Sequence, residues 1–327
     1  MRRMALVTYL TKDYLGTQPA NKSQRTAQMP GLDAPSPRHT PKSILVTGGT
    51  GTFGTAFVQF LLSQTKVDRI CIYSRGEHAQ AAACEAFGND PRVRYWVGDV
   101  RDKTRLARAC RGIDTIVHAA ALKRIETGAN NPDEMVKTNV LGTMNVVEAA
   151  IESGTVRQVV YLSSDKAFQP CSPYGQTKAL GESLVLAANK QFGGRNQIKF
   201  GCTRYGNIWN AQGSVVPKWL SLIKAGKAIS LTDYNCTRFF MTIDEAVNMV
   251  WQMCLHMQGG EVVIPEWLPA YRLGDLGAVF ANVYGADVKF VGLPEFEKMH
   301  ESMNHALCSE TARRMTYDEL YALVKAL

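Results

Sequence analysis

No stretch of the chain holds about 18 uninterrupted apolar residues, the length that a membrane-crossing helix needs. A helical membrane span is therefore not expected. Nor is there a Cys-x-x-Cys pair or a histidine pair at ligand spacing, although eight cysteines and six histidines are present. Cysteines scattered in this way argue against a zinc site and a disulfide framework, and they fit a reducing cytoplasm, the expected location. No metal is expected, and His118 and His300 receive no role. Charge is modest too. Asp, Glu, Lys and Arg make up 20% of residues against 46% hydrophobic, the balance of a globular protein.

The net charge of +8 is unevenly placed. Residues 1–42 hold seven basic side chains (Arg2, Arg3, Lys12, Lys22, Arg25, Arg38 and Lys42) against Asp13 and Asp33, a net +5. The other 285 residues carry only +3, too little for an extended nucleic-acid face. Rich in Ser, Thr, Pro, Gln and Arg and without a sustained period, residues 1–42 read as a flexible basic extension. Its first ten residues are too short and too quickly followed by Lys12 and Asp13 to suit a signal peptide.

From residue 43 the pattern alternates. Ser43–Thr47, Arg69–Ser74, Val93–Val97, Thr115–His118 and Gln158–Leu162 are apolar or β-branched runs of strand length. Helical spacing follows each, over residues 54–64, 78–87, 103–110, 132–152 and 174–192. This alternation implies an α/β fold, a doubly wound Rossmann-type parallel sheet with right-handed crossovers. The expected division is a dinucleotide-binding domain over 43–204, with part of 240–260 returning to it, and a mainly substrate-binding region over 205–327. In that second region, loops rich in Gly, Asn and Pro at 205–217, 226–238 and 259–275 separate shorter elements.

Thr47-Gly48-Gly49-Thr50-Gly51-Thr52-Phe53-Gly54 joins the first strand to the first helix. The spacing Gly48-x-x-Gly51-x-x-Gly54 lets the backbone turn tightly and approach a pyrophosphate at a helix N-terminus, with Thr52 and Phe53 in the same turn. The second strand ends Tyr73-Ser74-Arg75, where an NAD site usually offers a carboxylate about 20 residues after the last Gly. A hydroxyl and a guanidinium suit the 2′-phosphate of NADP, which is favoured; nearby Glu77 keeps NAD as the lesser reading. After the third strand, Asp99, followed by Val100, suits either an acceptor for adenine's amino group or a turn or cap residue. Ala119 and Ala120 leave room for the cofactor backbone, and Lys123 can reach a ribose or phosphate. Asn139, inside a long helix, reads as a satisfied buried amide or a brace for the helix that carries Tyr174.

The densest chemistry lies in residues 163–178. Tyr174 and Lys178 are one helical turn apart, where the ammonium lowers the pKa of the phenol. Ser164, Asp165 and Lys166 place a hydroxyl, a carboxyl and an amine at the end of the fifth strand. A surface ion pair would account for Asp165-Lys166 by itself, and Tyr-x-x-x-Lys occurs by chance. Together, behind a dinucleotide loop, they point to an active site.

With these motifs in place, the chain from about Lys42 onward resembles the extended short-chain dehydrogenase/reductase superfamily. Within it, the match is to the soluble, C5-inverting UDP-N-acetylglucosamine 4,6-dehydratases of pseudaminic acid synthesis. The resemblance is carried by the glycine loop, Tyr73-Ser74-Arg75, Gly98-Asp99-Val100-Arg101-Asp102, Ala119-Ala120-Ala121-Leu122-Lys123 and Lys137-Thr138-Asn139. It continues through Ser164-Asp165-Lys166-Ala167, Tyr174-Gly175-Gln176-Thr177-Lys178, Arg204-Tyr205-Gly206-Asn207, Gly213-Ser214-Val215-Val216-Pro217 and Thr237-Arg238-Phe239. Hexose-specific relatives carry Asp-Glu where this chain has Asp165-Lys166. Membrane-anchored, C5-retaining relatives usually carry Met where Tyr174 stands.

The resemblance implies roles. Tyr174 would take the proton of the sugar C4 hydroxyl as hydride leaves C4, with Ser164 on the same oxygen and Lys178 lowering the phenol's pKa. A neutral Lys166 would then remove the C5 proton, and a protonated Asp165 would donate to the departing C6 hydroxyl. Lys123, Asn207, Val216, Pro217 and Arg238 are implied substrate contacts, Arg238 as a diphosphate clamp, with Glu297 on the uridine ribose. The implied substrate is a UDP-N-acetylhexosamine, and the implied assembly a homo-oligomer, dimer or hexamer, paired through helices 132–152 and 174–192. No nucleic-acid or membrane partner is expected.

One motif departs from the pattern. Relatives read Gly-x-Arg-Pro-Gly-Glu-Lys-x-His-Glu near the C-terminus, the Arg holding the substrate diphosphate; here it reads Gly292-Leu293-Pro294-Glu295-Phe296-Glu297-Lys298-Met299-His300-Glu301. Glu295 adds a carboxylate that weakens diphosphate binding unless Arg238 or Lys218 compensates. Two rival readings stand beside the dehydratase. A UDP-sugar 4-epimerase would share the Tyr174 chemistry without needing Asp165-Lys166. A non-catalytic NADP-binding sensor or scaffold would typically lack the Tyr or the Lys.

Overall fold

The computed structural model describes residues 36–194 and 197–327. Most of the expected basic extension, residues 1–35, lies outside the described residues. Its last part is tied to the folded body: the Arg38 and His39 amides donate to the Leu255 carbonyl, and the Lys42 amide donates to Asp114.

The apolar runs become a parallel sheet because helices cover both of its faces. In chain order its first half comprises β1 (Ser43–Thr47), α1 (Thr52–Gln64), β2 (Arg69–Ser74), α2 (Glu77–Ala86), β3 (Val93–Val97), α3 (Lys103–Ala109) and β4 (Thr115–His118). Then come α4 (Ile125–Asn130), α5 (Pro132–Met135), a π-helical turn over Val136–Leu141, α6 (Gly142–Ser153), β5 (Gln158–Leu162), α7 (Pro173–Phe192) and β6 (Lys199–Thr203). The strand order is β3-β2-β1-β4-β5-β6, every neighbour parallel, with Thr47 level with both Tyr73 and His118. The order reverses between β1 and β4, so the C-terminal strand ends open a crevice there.

The second half comprises β7 (Asn207–Ile208), α8 (Val215–Lys224), β8 (Ile229–Leu231), β9 (Thr237–Met241), α9 (Ile243–His256), β10 (Val262–Val263), β11 (Ala270–Arg272), α10 (Leu273–Tyr284), β12 (Val288–Phe290) and α11 (Tyr317–Lys325). α9 starts at a full capping box, Thr242 with Glu245. It then turns Val247, Val250 and Cys254 into the same core as the central sheet. β10 follows as the sheet's seventh strand, parallel to β6. A second, smaller core gathers Trp219, Leu231, Leu276, Phe280, Leu320 and Val324 beneath the short sheets β11-β9-β7 and β12-β8. Among the described residues, no helix is long and apolar enough to cross a membrane.

The structure departs from the sequence reading in two places here. The helix expected without a break over 132–152 is interrupted by the π turn at Val136–Leu141. The wider turn carries Asn139, whose buried amide bonds to groups outside its own helix. α4 was not anticipated, because six residues with only Gly128 buried show no apolar period.

Candidate active site

A single cleft of about 910 Å³ runs along the carboxyl ends of β1, β2, β4 and β5 and continues beneath α8, β8 and the 291–301 segment. At its cofactor end the glycine loop is needed for shape. Gly48 sits at φ +67°, and a Cβ there would lie 2.9 Å from the Ala120 backbone. A Cβ on Gly54 would lie 2.5 Å from the Gly48 carbonyl. α1 begins at Gly51 with no side-chain cap and no acid in its first turn, so its positive end is left for an anion. Gly51, Thr52, Phe53, Ser74, Arg75 and Val100 line the wall, as do Ala119, Ala120 and Lys123. Buried Thr138 Oγ1 and Ser163 Oγ, both from residues of this wall, have no hydrogen-bond partner. The cradle and these unmet hydroxyls fit a nicotinamide dinucleotide.

Asp99 behaves as a turn residue. Its carboxylate accepts from the Arg101 amide at 2.9 Å and from the Arg101 guanidinium at 2.9 and 2.7 Å, and it is not among the cleft-lining residues. Of the two roles expected for Asp99, the turn is the one these bonds display, and Oδ1 keeps acceptor capacity beyond the Arg101 amide. The helix cap is its neighbour Asp102, which accepts from the Arg105 amide. Arg75 keeps a half-exposed side chain, 3.9 Å from Asp99.

Ser172, capping α7 through the Gly175 amide, and Pro173 in its first turn fix where Tyr174 and Lys178 point. Lys178 is buried, donates to the Leu162 carbonyl and lies 4.2 Å from the centre of the Tyr161 ring. Burial lowers its pKa to about 8 despite the opposing charge of Glu182. Tyr174 is pushed up to about 12 by burial, and the cation that pulls against this is Lys166. The expected lowering of Tyr174 by Lys178 therefore does not hold in this state, because Lys178 is turned toward β5. Asn139 does brace the helix: its amide donates to Thr177 Oγ1 and to the Leu122 carbonyl and accepts from the Leu122 amide.

Ser164 caps the short helical turn Asp165–Ala167 by accepting from the Lys166 amide, and its hydroxyl donates to Asp165. Lys166 Nζ lies 3.2 Å from Asp165 Oδ1, 3.1 Å from Asn207 Oδ1 and 3.2 Å from Glu301 Oε1. Burial opposes its charge, but Asp165 and Glu301 outweigh that and raise its pKa. The resting Lys166 is an ammonium, not the neutral amine expected. Asp165 is completely buried; burial raises its pKa, in keeping with a protonated acid. Its Oδ2 has no partner, and the residue stands just behind the cleft wall that Lys166 lines.

Residues 44–324 match the model of a family described as "Polysaccharide biosynthesis protein". The chain belongs to this polysaccharide biosynthesis family. It is 42% identical over 263 residues, 80% of this chain and 77% of the relative, to the UDP-N-acetylglucosamine 4,6-dehydratase (inverting) of Campylobacter jejuni subsp. jejuni serotype O:2. To the UDP-glucose 4-epimerase of Rickettsia canadensis it is 36% identical over 267 residues, again 80% of this chain and 77% of the relative. Among solved structures, the dTDP-glucose 4,6-dehydratase DesIV of Streptomyces venezuelae, with NAD and TYD bound, superposes with a TM-score of 0.76. That match covers 86% of this chain and 96% of the other at 24% identity, a likeness of fold.

In this family member the substrate end of the cleft is cationic. Arg124, Lys166, Lys218, Arg238 and Lys298 line the cleft and outnumber Glu126, Glu297 and Glu301, with which all but Arg124 pair. Arg238 is held by the Thr237 and Met299 carbonyls and pairs with Glu297 at 3.3 Å, so the two expected contacts face each other. Asn207 is present, holding Lys166. Val216 and Pro217 are not on the wall: Val216 packs into the second core, and its neighbours Ser214, Val215, Lys218 and Trp219 face the cleft. Glu295 is exposed and off the wall too, so its charge does not meet a diphosphate there. Glu301 was missed, although it closes the C-terminal motif; its partner Lys166 lies on a distant segment, and spacing gives no sign of that.

Proposed function

We propose that the protein is a UDP-N-acetylhexosamine 4,6-dehydratase that inverts C5, with UDP-N-acetylglucosamine as substrate and NADP preferred to NAD. The observation that carries this reading is Lys166, placed on the same wall as Tyr174 and backed by Asp165. A redox-only enzyme needs Tyr174 and Lys178; an elimination needs an acid and a base as well. A nicotinamide dinucleotide in the cradle supplies the oxidising, then reducing, equivalent. Tyr174, after its own proton has left to solvent, accepts the proton of the C4 hydroxyl as a phenolate, a form that the positive charge of Lys166 favours against the burial that raises its pKa. The resulting 4-ketone acidifies the C5 hydrogen. The Lys166 amine removes it, and Asp165 protonates the C6 hydroxyl, which leaves as water. Return of a proton to the opposite face of C5 sets the inversion.

Ser74 and Arg75 on the wall, with neither Glu77 nor Asp99 lining it, support the NADP preference. The exposed apolar side chains Val136, Leu141, Met144 and Leu180 support pairing of copies through the π turn, α6 and α7. The relatives named as epimerases keep a second reading, a UDP-sugar 4-epimerase, in play. Incubation with UDP-N-acetylglucosamine and mass spectrometry separates the two. Loss of one water is the expected result; an unchanged mass with a new epimer favours the epimerase. Titration with both cofactors tests the other half, and tighter NAD binding would overturn the NADP preference.

A further inference from the structure

Lys166 stands between two buried carboxylates. Glu301 is 3% exposed, yet it lines the cleft where Asp165 does not. Its backbone is fastened to Ser309 on both sides, the Glu301 amide donating to Ser309 Oγ and the Ser309 amide to the Glu301 carbonyl. Oε1 meets Lys166 at 3.2 Å, and Oε2 lies 3.4 Å from Lys298 without a hydrogen bond. The charged and titratable groups around it are Lys166 from the turn after β5, Arg238 from β9 and Lys298 from its own segment. Asp165 and Tyr174 also face Lys166, and the Glu301 charge raises the pKa of both. Burial raises the Glu301 pKa, but Lys166, Arg238 and Lys298 outweigh it and hold the carboxylate ionised.

Resting on the dehydratase reading, we propose that Glu301 is the proton acceptor that turns Lys166 into a base, a positioning residue for the elimination. One N–H bond of the Lys166 ammonium breaks and one O–H bond forms on Glu301, leaving a neutral amine beside a neutral acid. At rest the ion pair is the preferred form, and loss of water as substrate enters raises its cost and narrows the gap to the neutral pair. The amine then takes the C5 proton, the C–H electron pair becomes the C5–C6 double bond, and the C6–O bond breaks. Asp165 gives its proton to the leaving oxygen, forming water. Lys166 is again an ammonium, now facing an ionised Asp165, and the Glu301 proton returns to Asp165 through it. Both carboxylates lie 3.2 Å from Nζ, so one lysine serves both transfers.

Glu301→Gln keeps the shape and removes the acceptor. Its dehydration kcat is expected to fall about a hundredfold with little change in KM, while cofactor reduction persists. Its rate should also rise with pH where the wild type is flat, because Lys166 must lose its proton to solvent. In a Lys166→Ala background the same change should cost nothing further. Glu301→Asp should keep the wild-type pH profile at a lower rate, and it serves as the test if the Gln variant fails to melt cooperatively. A Gln variant with wild-type kcat and pH profile, an additive double variant, or an Asp variant with an alkaline-shifted profile would each overturn the proposal. A wild type that releases no water from UDP-N-acetylglucosamine overturns the dehydratase reading itself, and this inference with it.

Discussion

Lys166 and Lys178 are two lysines in one cleft, the first part-buried and the second buried, and they titrate in opposite directions. Lys178 faces a carbonyl and the Tyr161 ring, and burial carries its pKa down to about 8. Lys166, only part-buried, faces Asp165 and Glu301, each at 3.2 Å, and negative charge there raises it against the cost of burial. The same contrast appears in how the two sites are built. Tyr174 and Lys178 ride one capped helix, so local structure places them. Lys166 is held by Asn207, 41 residues away, and by Glu301 farther still. The redox half is therefore local, and the elimination half depends on the whole fold.

The largest expected effect separates the two chemically. Tyr174→Phe should lower cofactor reduction by UDP-N-acetylglucosamine about a thousandfold, read by absorbance, because it removes the group assigned to take the C4 proton. Lys166→Ala should cut water release about a hundredfold while cofactor reduction continues. If Lys166→Ala abolished reduction as fully as Tyr174→Phe, the division of labour would be broken.

A smaller effect sharpens the electrostatic side of the comparison. Because the folded pKa of Lys178 is depressed, the unfolded chain binds more protons between pH about 8 and 10.5, and stability gains as pH rises through that window. In Lys178→Met this contribution disappears. The wild type should gain about 3 kcal/mol relative to the variant across the window, measured by denaturant unfolding at several pH values. Taking the difference removes the tyrosines and cysteines that titrate in both. At pH 7, Lys166→Met should destabilise by about 3 kcal/mol, since it strands the buried Glu301 carboxylate. An equal loss of stability at pH 7 for the two Met substitutions would show that the carboxylates do not distinguish the lysines.

Much of this was legible in the chain. Strands β1, β2, β4 and β5 were readable because strands covered on both faces are near-continuous apolar runs, and β3, at the sheet edge, through its β-branched and aromatic residues. The glycine loop was readable because only glycine fits where a Cβ would strike Ala120 or the Gly48 carbonyl. β10, two residues long, left no periodic signal, and neither did the π turn that carries Asn139. Val216 looked like a substrate contact in its motif, but helix α8 turns it into the second core and presents Val215 and Lys218 to the cleft.

By itself, then, the sequence determined the parallel α/β frame, the dinucleotide cradle and the presence of Tyr174, Lys178, Asp165 and Lys166. These depend on short-range spacing, which a linear chain displays. Tertiary structure alone decided the charge of Lys166, the burial of Asp165 and the arrival of Glu301 beside them. A protonation state is set by the dielectric and the charges within a few ångströms, and those neighbours come from segments that only folding brings together.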